Sequence, residues 1–136
     1  MKKRIFYHDT DCGGVVYHAN YLKYFEEART EFLEKIGLSV KFFMDRQIYF
    51  VVRSQSAEYR RPAMYDDVLD VQTYLTECSS VKMNFAYEIH NQNGVLVTTG
   101  TTLLVSVGPD MKIKQIPADI LEKIKGTMKT DKTKRN

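Results

Sequence analysis

Asn20-Tyr21-Leu22-Lys23-Tyr24-Phe25-Glu26-Glu27-Ala28-Arg29-Thr30-Glu31-Phe32-Leu33-Glu34-Lys35-Ile36-Gly37 is the stretch whose reading decides the fold. Tyr21, Phe25, Ala28, Phe32 and Ile36 recur at steps of three and four, the spacing of an amphipathic helix. Leu22 and Leu33 widen that stripe, while Glu26, Glu27, Arg29, Glu31, Glu34 and Lys35 occupy the other sides. Gly37 stands where a left-handed C-terminal cap belongs. The helical period begins at residue 18 or 20 and ends at 36. A stripe this wide predicts a helix that a sheet embraces along one broad side.

Outside this helix the chain reads almost entirely as strand. Arg4-Ile5-Phe6-Tyr7 is a short aromatic and β-branched run, expected as a first strand. Residues 39–46, with Phe42, Phe43 and Met44, predict no more than a helical turn. A strand follows over residues 48–59, and Arg60-Arg61-Pro62-Ala63 interrupts it because proline removes a ladder donor. Residues 68–78 alternate, with Leu69, Val71, Thr73 and Leu75 on one face. Val81, Met83, Phe85, Tyr87 and Ile89 alternate strictly with polar or small neighbours. Asn93-Gly94 marks a hairpin turn. Val95, Val97, Thr99, Thr101, Leu103, Val105 and Val107 then make a long strand that Gly108-Pro109 closes. Residues 117–128 predict a last short helix with Ile120, Leu121 and Ile124 as its apolar side.

Four consecutive strands without crossover helices make an antiparallel sheet, and the lone long helix must bury its stripe against it. The predicted class is α+β, a single domain over residues 1–128 followed by a frayed basic tail over residues 129–136. Strands of ten or more residues suit a strongly curved sheet, half of which is commonly covered by a second subunit. At least a dimer is therefore expected.

Composition narrows the function classes. A hydrophobic fraction of 43% with nine tyrosines and seven phenylalanines supports one packed core and argues against disorder. No run approaches the 18 apolar residues of a membrane span. The basic start Met1-Lys2-Lys3-Arg4 is followed by no apolar core segment, so it is not read as a signal peptide. Cys12 and Cys78 lie far apart and are expected as reduced thiols in a cytoplasmic protein. Of the formal charge of +3, all is accounted for by Lys129, Lys132, Lys134 and Arg135 against Asp131 in the tail. The body is neutral and shows no basic face with interleaved aromatics, which speaks against nucleic acid.

The chemistry concentrates just before the helix, in His8-Asp9-Thr10-Asp11-Cys12-Gly13-Gly14-Val15-Val16-Tyr17-His18. Aspartate is a carboxylate at neutral pH, able to attack a carbonyl or to draw a proton from water. Asp11 and Asp9 compete for that role, and either also suits an Asx turn that shapes the loop. His18 is placed to orient water, bond a carbonyl or act as an acid, or simply to bond at the helix start. A backbone N–H in the first helical turn polarises a carbonyl whatever its side chain does. Glycines let a ligand approach the backbone. A metal site from His8, Asp9, Asp11 and His18 has suitable ligand types but no standard ligand spacing. Cys12 with His18 lacks a cysteine-hydrolase signature. Gly13-Gly14 is no dinucleotide fingerprint, because no βαβ unit surrounds it. Glu27 and Arg29 read by default as solvated helix surface.

The segment from Asp9 to Tyr21, together with Phe25-Glu26-Glu27-Ala28-Arg29-Thr30-Glu31, resembles the hotdog-fold acyl-CoA thioesterases of the 4-hydroxybenzoyl-CoA thioesterase family. It is closest to the YbgC branch, associated with the Tol-Pal system. Arg60-Arg61-Pro62-Ala63 and Asp66-Asp67 also look like that branch, and the likeness covers residues 4–125. It implies a hotdog: a central helix wrapped by a curved five-stranded antiparallel sheet. By that resemblance the catalytic carboxylate falls on Asp11, and His18 assists while its amide polarises the thioester carbonyl. Gly14, Val15, Tyr17 and Tyr21 become substrate-binding positions. The hydroxybenzoyl enzyme has tyrosine where this chain has His18, which points to short- or medium-chain acyl-CoA rather than an aromatic acyl group. The resemblance implies no metal or organic cofactor, and a dimer or tetramer with the site at a subunit interface. Two alternatives accompany it, an acyl-carrier-protein thioesterase and a non-catalytic acyl-CoA-binding or envelope-complex module. Arg53, Arg60, Arg61 and Lys82 are candidates for the CoA phosphates by charge alone.

Overall fold

The computed structural model describes residues 1–11 and 13–135, with side chains as far as residue 128. Its long helix, α1, spans Asn20–Glu34. Tyr21, Tyr24, Phe25, Ala28 and Leu33 are buried along it, as the apolar stripe requires. Gly37 takes a left-handed φ of 81°, and Leu38 N–H donates to Leu33 O at 3.0 Å, closing the helix with a Schellman turn.

Five strands, β1 (Lys2–Arg4), β2 (Tyr49–Tyr59), β3 (Val68–Cys78), β4 (Lys82–His90) and β5 (Leu96–Val107), form one sheet. Their order is β1-β3-β4-β5-β2, and every neighbouring pair is antiparallel. β2 is therefore an edge strand eleven residues long. A short helix α2 (Val40–Asp45) precedes it, capped by the Ser39 hydroxyl, which accepts from Phe42 N–H at 3.0 Å. The last helix, α3, spans Ala118–Arg135 and buries Ile120 and Ile124. The side chains of residues 129–136, on which the expectation of a frayed basic tail rests, lie outside the described residues. Among the described residues no helix is long and apolar enough to cross a membrane.

The core lies between α1 and the inner sheet face. β4 alternates as expected, with Met83, Phe85, Tyr87 and Ile89 buried, and β3 buries Leu69, Val71 and Leu75 opposite them. β5 buries a set that hydrophobicity alone would not select. Its inner residues are Thr98, Gly100, Thr102, Leu104 and Ser106, while the apolar Val105 and Leu103 are only half-buried on the outer face. The cause is the close approach of α1. A Cβ on Gly100 would stand 2.5 Å from the Phe25 ring and 2.7 Å from Ser56 O. Phe25 itself stacks on Tyr87 with ring centroids 4.2 Å apart. Small residues on β5 leave room for that aromatic layer.

The first strand is shorter and earlier than residues 4–7. Asp9 causes this: its carboxylate accepts from Phe6 N–H at 2.9 Å, and its N–H donates to Phe6 O at 3.0 Å. The chain is thereby wound into a 3₁₀ turn over Tyr7–Asp9 and leaves the ladder at Arg4.

Candidate active site

The loop before α1 folds back on itself and docks on the segment that follows β2. Thr10 and Val16 bridge antiparallel, and Asp11 N–H donates to Val15 O at 3.0 Å. Gly14 turns this hairpin with a φ of 73°, in the left-handed region that favours glycine. The hairpin is anchored by Val16 N–H to Ala63 O at 2.8 Å and by Tyr65 N–H to Gly14 O at 3.0 Å.

The two aspartates of the loop have different fates. Asp9 is 6% exposed, and its carboxylate holds the 3₁₀ turn. Its carbonyl accepts from Tyr17 N–H and from the Asn20 side chain, tying the loop to the helix start. Asp11 is exposed. Its Oδ1 accepts from Gly13 N–H at 3.1 Å in an Asx turn, and no side chain among the described residues bonds the carboxylate. Asp9 is thus committed to structure, while Asp11 offers a carboxylate to solvent. Its turn role and a chemical role are compatible, since the second oxygen is unoccupied by the turn.

At the start of α1, Asn20 N–H donates to Tyr17 O and Tyr21 N–H to His18 O. The N–H groups of His18 and Ala19 donate to no acceptor among the described residues, as the first amides of a helix do. The His18 side chain is exposed, with its ring 4.6 Å from that of Tyr17 and 6.1 Å from that of Tyr59. The Tyr59 hydroxyl donates to His18 O at 3.3 Å, pinning the end of β2 to the helix start.

These contacts enclose an open groove. Val15, Val16, His18 and Tyr21 form one wall. Tyr59, Arg60, Arg61 and Pro62 form the other. Of the predicted substrate-binding positions, Val15 and Tyr21 line this groove, whereas Gly14 and Tyr17 do not. Burial pushes the Tyr21 hydroxyl pKa up, so it stays neutral and can donate. Asp11 is joined to the groove through Val15, its partner across the hairpin. Tyr59 is a residue that sequence reasoning missed. Nothing in a strand-end tyrosine signals that the chain will bring it against a loop forty residues away.

A second, more enclosed and largely apolar cavity of about 220 Å³ lies farther along α1, between that helix, α2 and the start of β2. Leu33, Leu38, Phe43 and Leu104 line it, with Arg29 at its wall. Arg29 is half-buried rather than plain surface, and its guanidinium donates to the Tyr87 hydroxyl at 3.4 Å. Among the described residues no three His, Cys, Asp or Glu side chains are grouped to hold a metal ion. Cys12, and with it the pairing of that thiol with His18, lies outside the described residues. Cys78 is a free thiol whose pKa burial pushes up, which suits an unreactive role.

Comparison with known proteins agrees with this architecture. Residues 7–124 match the Thioesterase-like superfamily. The chain is 39% identical to the acyl-CoA thioester hydrolase YbgC of Escherichia coli over 123 residues, 90% of this chain and 92% of the relative. Among solved structures, DHNA-CoA thioesterase from Staphylococcus aureus superposes with a TM-score of 0.91 at 28% identity, covering 98% of this chain and 92% of that one. A hypothetical protein from Aquifex aeolicus superposes with a TM-score of 0.85 at 34% identity, covering 90% and 96%. The central helix, the five-stranded antiparallel wrap and these matches place the chain in the thioesterase-like superfamily, in the YbgC-like branch of the hotdog-fold thioesterases.

Proposed function

We propose that this protein hydrolyses acyl-CoA to a free acid and CoA, with Asp11 as the catalytic carboxylate. The observation that carries the proposal is the division of labour between the two aspartates: Asp9 is buried and bonded, while Asp11 is exposed in the loop that leads to a helix start with unbonded amides. A thioester carbonyl brought to the His18 amide would have its oxygen polarised by that N–H and by the positive end of α1. Asp11 either attacks the carbonyl carbon directly or takes a proton from the water that does. Negative charge collects on the carbonyl oxygen, the C–S bond breaks, and the thiolate leaves to be protonated. When Asp11 is the nucleophile, water then cleaves the acyl-aspartate anhydride. The His18 side chain, in the groove wall, assists by orienting water or the substrate.

The acyl group in this reading is short or medium in length, and the protein works in the cytoplasm without a metal or organic cofactor. A second copy completes the site. Support comes from β2, a long edge strand that exposes Val52 (45%) along its length and Tyr59 (50%) at the groove. An unpaired edge of that length invites antiparallel pairing with another chain.

The test is thiol release from acyl-CoAs of increasing chain length, with hydroxybenzoyl-CoA and an acyl carrier protein thioester alongside. Turnover peaking on a short or medium acyl-CoA is the expected result. Preference for the carrier-protein ester would move the substrate, and tight acyl-CoA binding without thiol release would replace the enzyme by a binding module.

A further inference from the structure

The wall of the groove opposite His18 contains a feature that catalysis at the thioester does not use. Arg60 N–H and Arg61 N–H both donate to Val97 O, at 2.8 and 3.1 Å. Two residues facing one is a β-bulge, and a bulge re-aims side chains that regular alternation would send to opposite faces. Both arginines accordingly line the groove that holds His18, and both line the adjoining groove that continues past Glu58. Only one of the two is neutralised. Arg60 pairs with Glu58 at 3.0 Å, while Arg61 has no ion-pair partner among the described residues. Among the described residues Glu58 is the one acid lining this track, so two guanidiniums and one carboxylate leave a net positive charge there. Arg53 and Lys82, the other basic candidates, line neither groove.

We propose that Arg61, with Arg60 beside it, binds a phosphate of the pantetheine carrier whose thioester lies at His18. The inference rests on the thioesterase reading above. Guanidinium presents a planar fork of donors matched to phosphate oxygens, and an unpaired arginine need break no existing ion pair to use it. The phosphate belongs either to the 4′-phosphopantetheine shared by CoA and acyl carrier protein or to the nucleotide end of CoA alone.

The experiment compares wild type, Arg61→Gln and a Lys82→Gln control on three esters of one acyl group: acyl-CoA, acyl-4′-phosphopantetheine and phosphate-free acyl-pantetheine. Arg61→Gln is expected to raise KM for acyl-CoA about tenfold, with kcat within twofold and KM for acyl-pantetheine unchanged. Lys82→Gln leaves all three unchanged. An equal KM rise on acyl-4′-phosphopantetheine assigns the contact to the shared phosphate, and a rise on acyl-CoA alone assigns it to the nucleotide end. A KM unchanged for acyl-CoA, or raised equally for the phosphate-free ester, overturns the assignment. Calorimetric titration with free CoA separates this failure from failure of the thioesterase reading. Even in a protein without turnover, Arg61→Gln must weaken CoA binding about tenfold.

Discussion

Gly100→Ala tests how closely the central helix sits on the sheet. The added methyl would lie 2.5 and 2.6 Å from two carbons of the Phe25 ring and 2.7 Å from Ser56 O. Carbon atoms in good contact are about 3.5–4.0 Å apart, so the ring must retreat by about 1 Å. Phe25 is fully buried and stacked on Tyr87 at 4.2 Å, which blocks a sideways escape. Ser56 O is backbone of the paired strand β2 and yields only by distorting the β2–β5 ladder. Overpacking of this kind costs about 1–3 kcal/mol. The reduced freedom of the unfolded chain on replacing glycine returns about 0.4–1 kcal/mol. With rigid neighbours on both sides, a net loss of about 2 kcal/mol is expected. Because the chain contains no tryptophan, urea unfolding is followed by far-ultraviolet circular dichroism at fixed protein concentration. At about 2 kcal/mol per molar the midpoint should fall by about 1 M. Shrinking the ring in the double variant Gly100→Ala with Phe25→Leu should cost less than the sum of the two single changes. An unchanged or higher midpoint for Gly100→Ala would mean that α1 does not press on β5 at this point, and the account of β5's small inner residues would fall.

Two further perturbations follow from the same structure. Asp9→Ala removes a buried acceptor from Phe6 N–H and should cost about 1–3 kcal/mol in the same unfolding assay; a midpoint within error of wild type would contradict the structural role given to Asp9. Burial pushes the pKa of Tyr21, Tyr24 and Tyr87 above the ordinary value near 10, with the Asp9 carboxylate adding to the shift at Tyr24. The folded state therefore holds these protons longer than the unfolded state, so their contribution is complete below about pH 10 and is lost as pH rises beyond it. Urea midpoints across pH 8 to 11 should be level and then fall, and Tyr87→Phe should make the fall shallower.

Much of the fold was legible because its signals are local. The α1 stripe, the Gly37 cap, the strict alternation of β4 and the Asn93-Gly94 turn each depend on residues a few positions apart. The strand order and the inner face of β5 depend on what lies across the core. Thr98, Gly100 and Thr102 look like a poor inner face until Phe25 is seen against them. The site divides in the same way. Its loop announces itself through paired aspartates, glycines and a histidine before a helix. The resemblance alone pointed to Asp11 over Asp9, the Phe6 hydrogen bond gives Asp9 its structural role, and the opposite wall needed the docking of residues 59–62 on the helix start. Arg60 and Arg61 were visible as charge, but only the bulge at Val97 turns both toward one groove.

The most direct test of the central claim is steady-state thiol release from the best acyl-CoA substrate by wild type and Asp11→Asn. Asparagine keeps a side-chain oxygen for Gly13 N–H, so the turn and the urea midpoint should be retained. The variant should lose about 10²–10⁴-fold in kcat, the range expected when a positioned carboxylate is removed from proton transfer or attack. A folded Asp11→Asn protein that turns over within a few-fold of wild type would contradict the account.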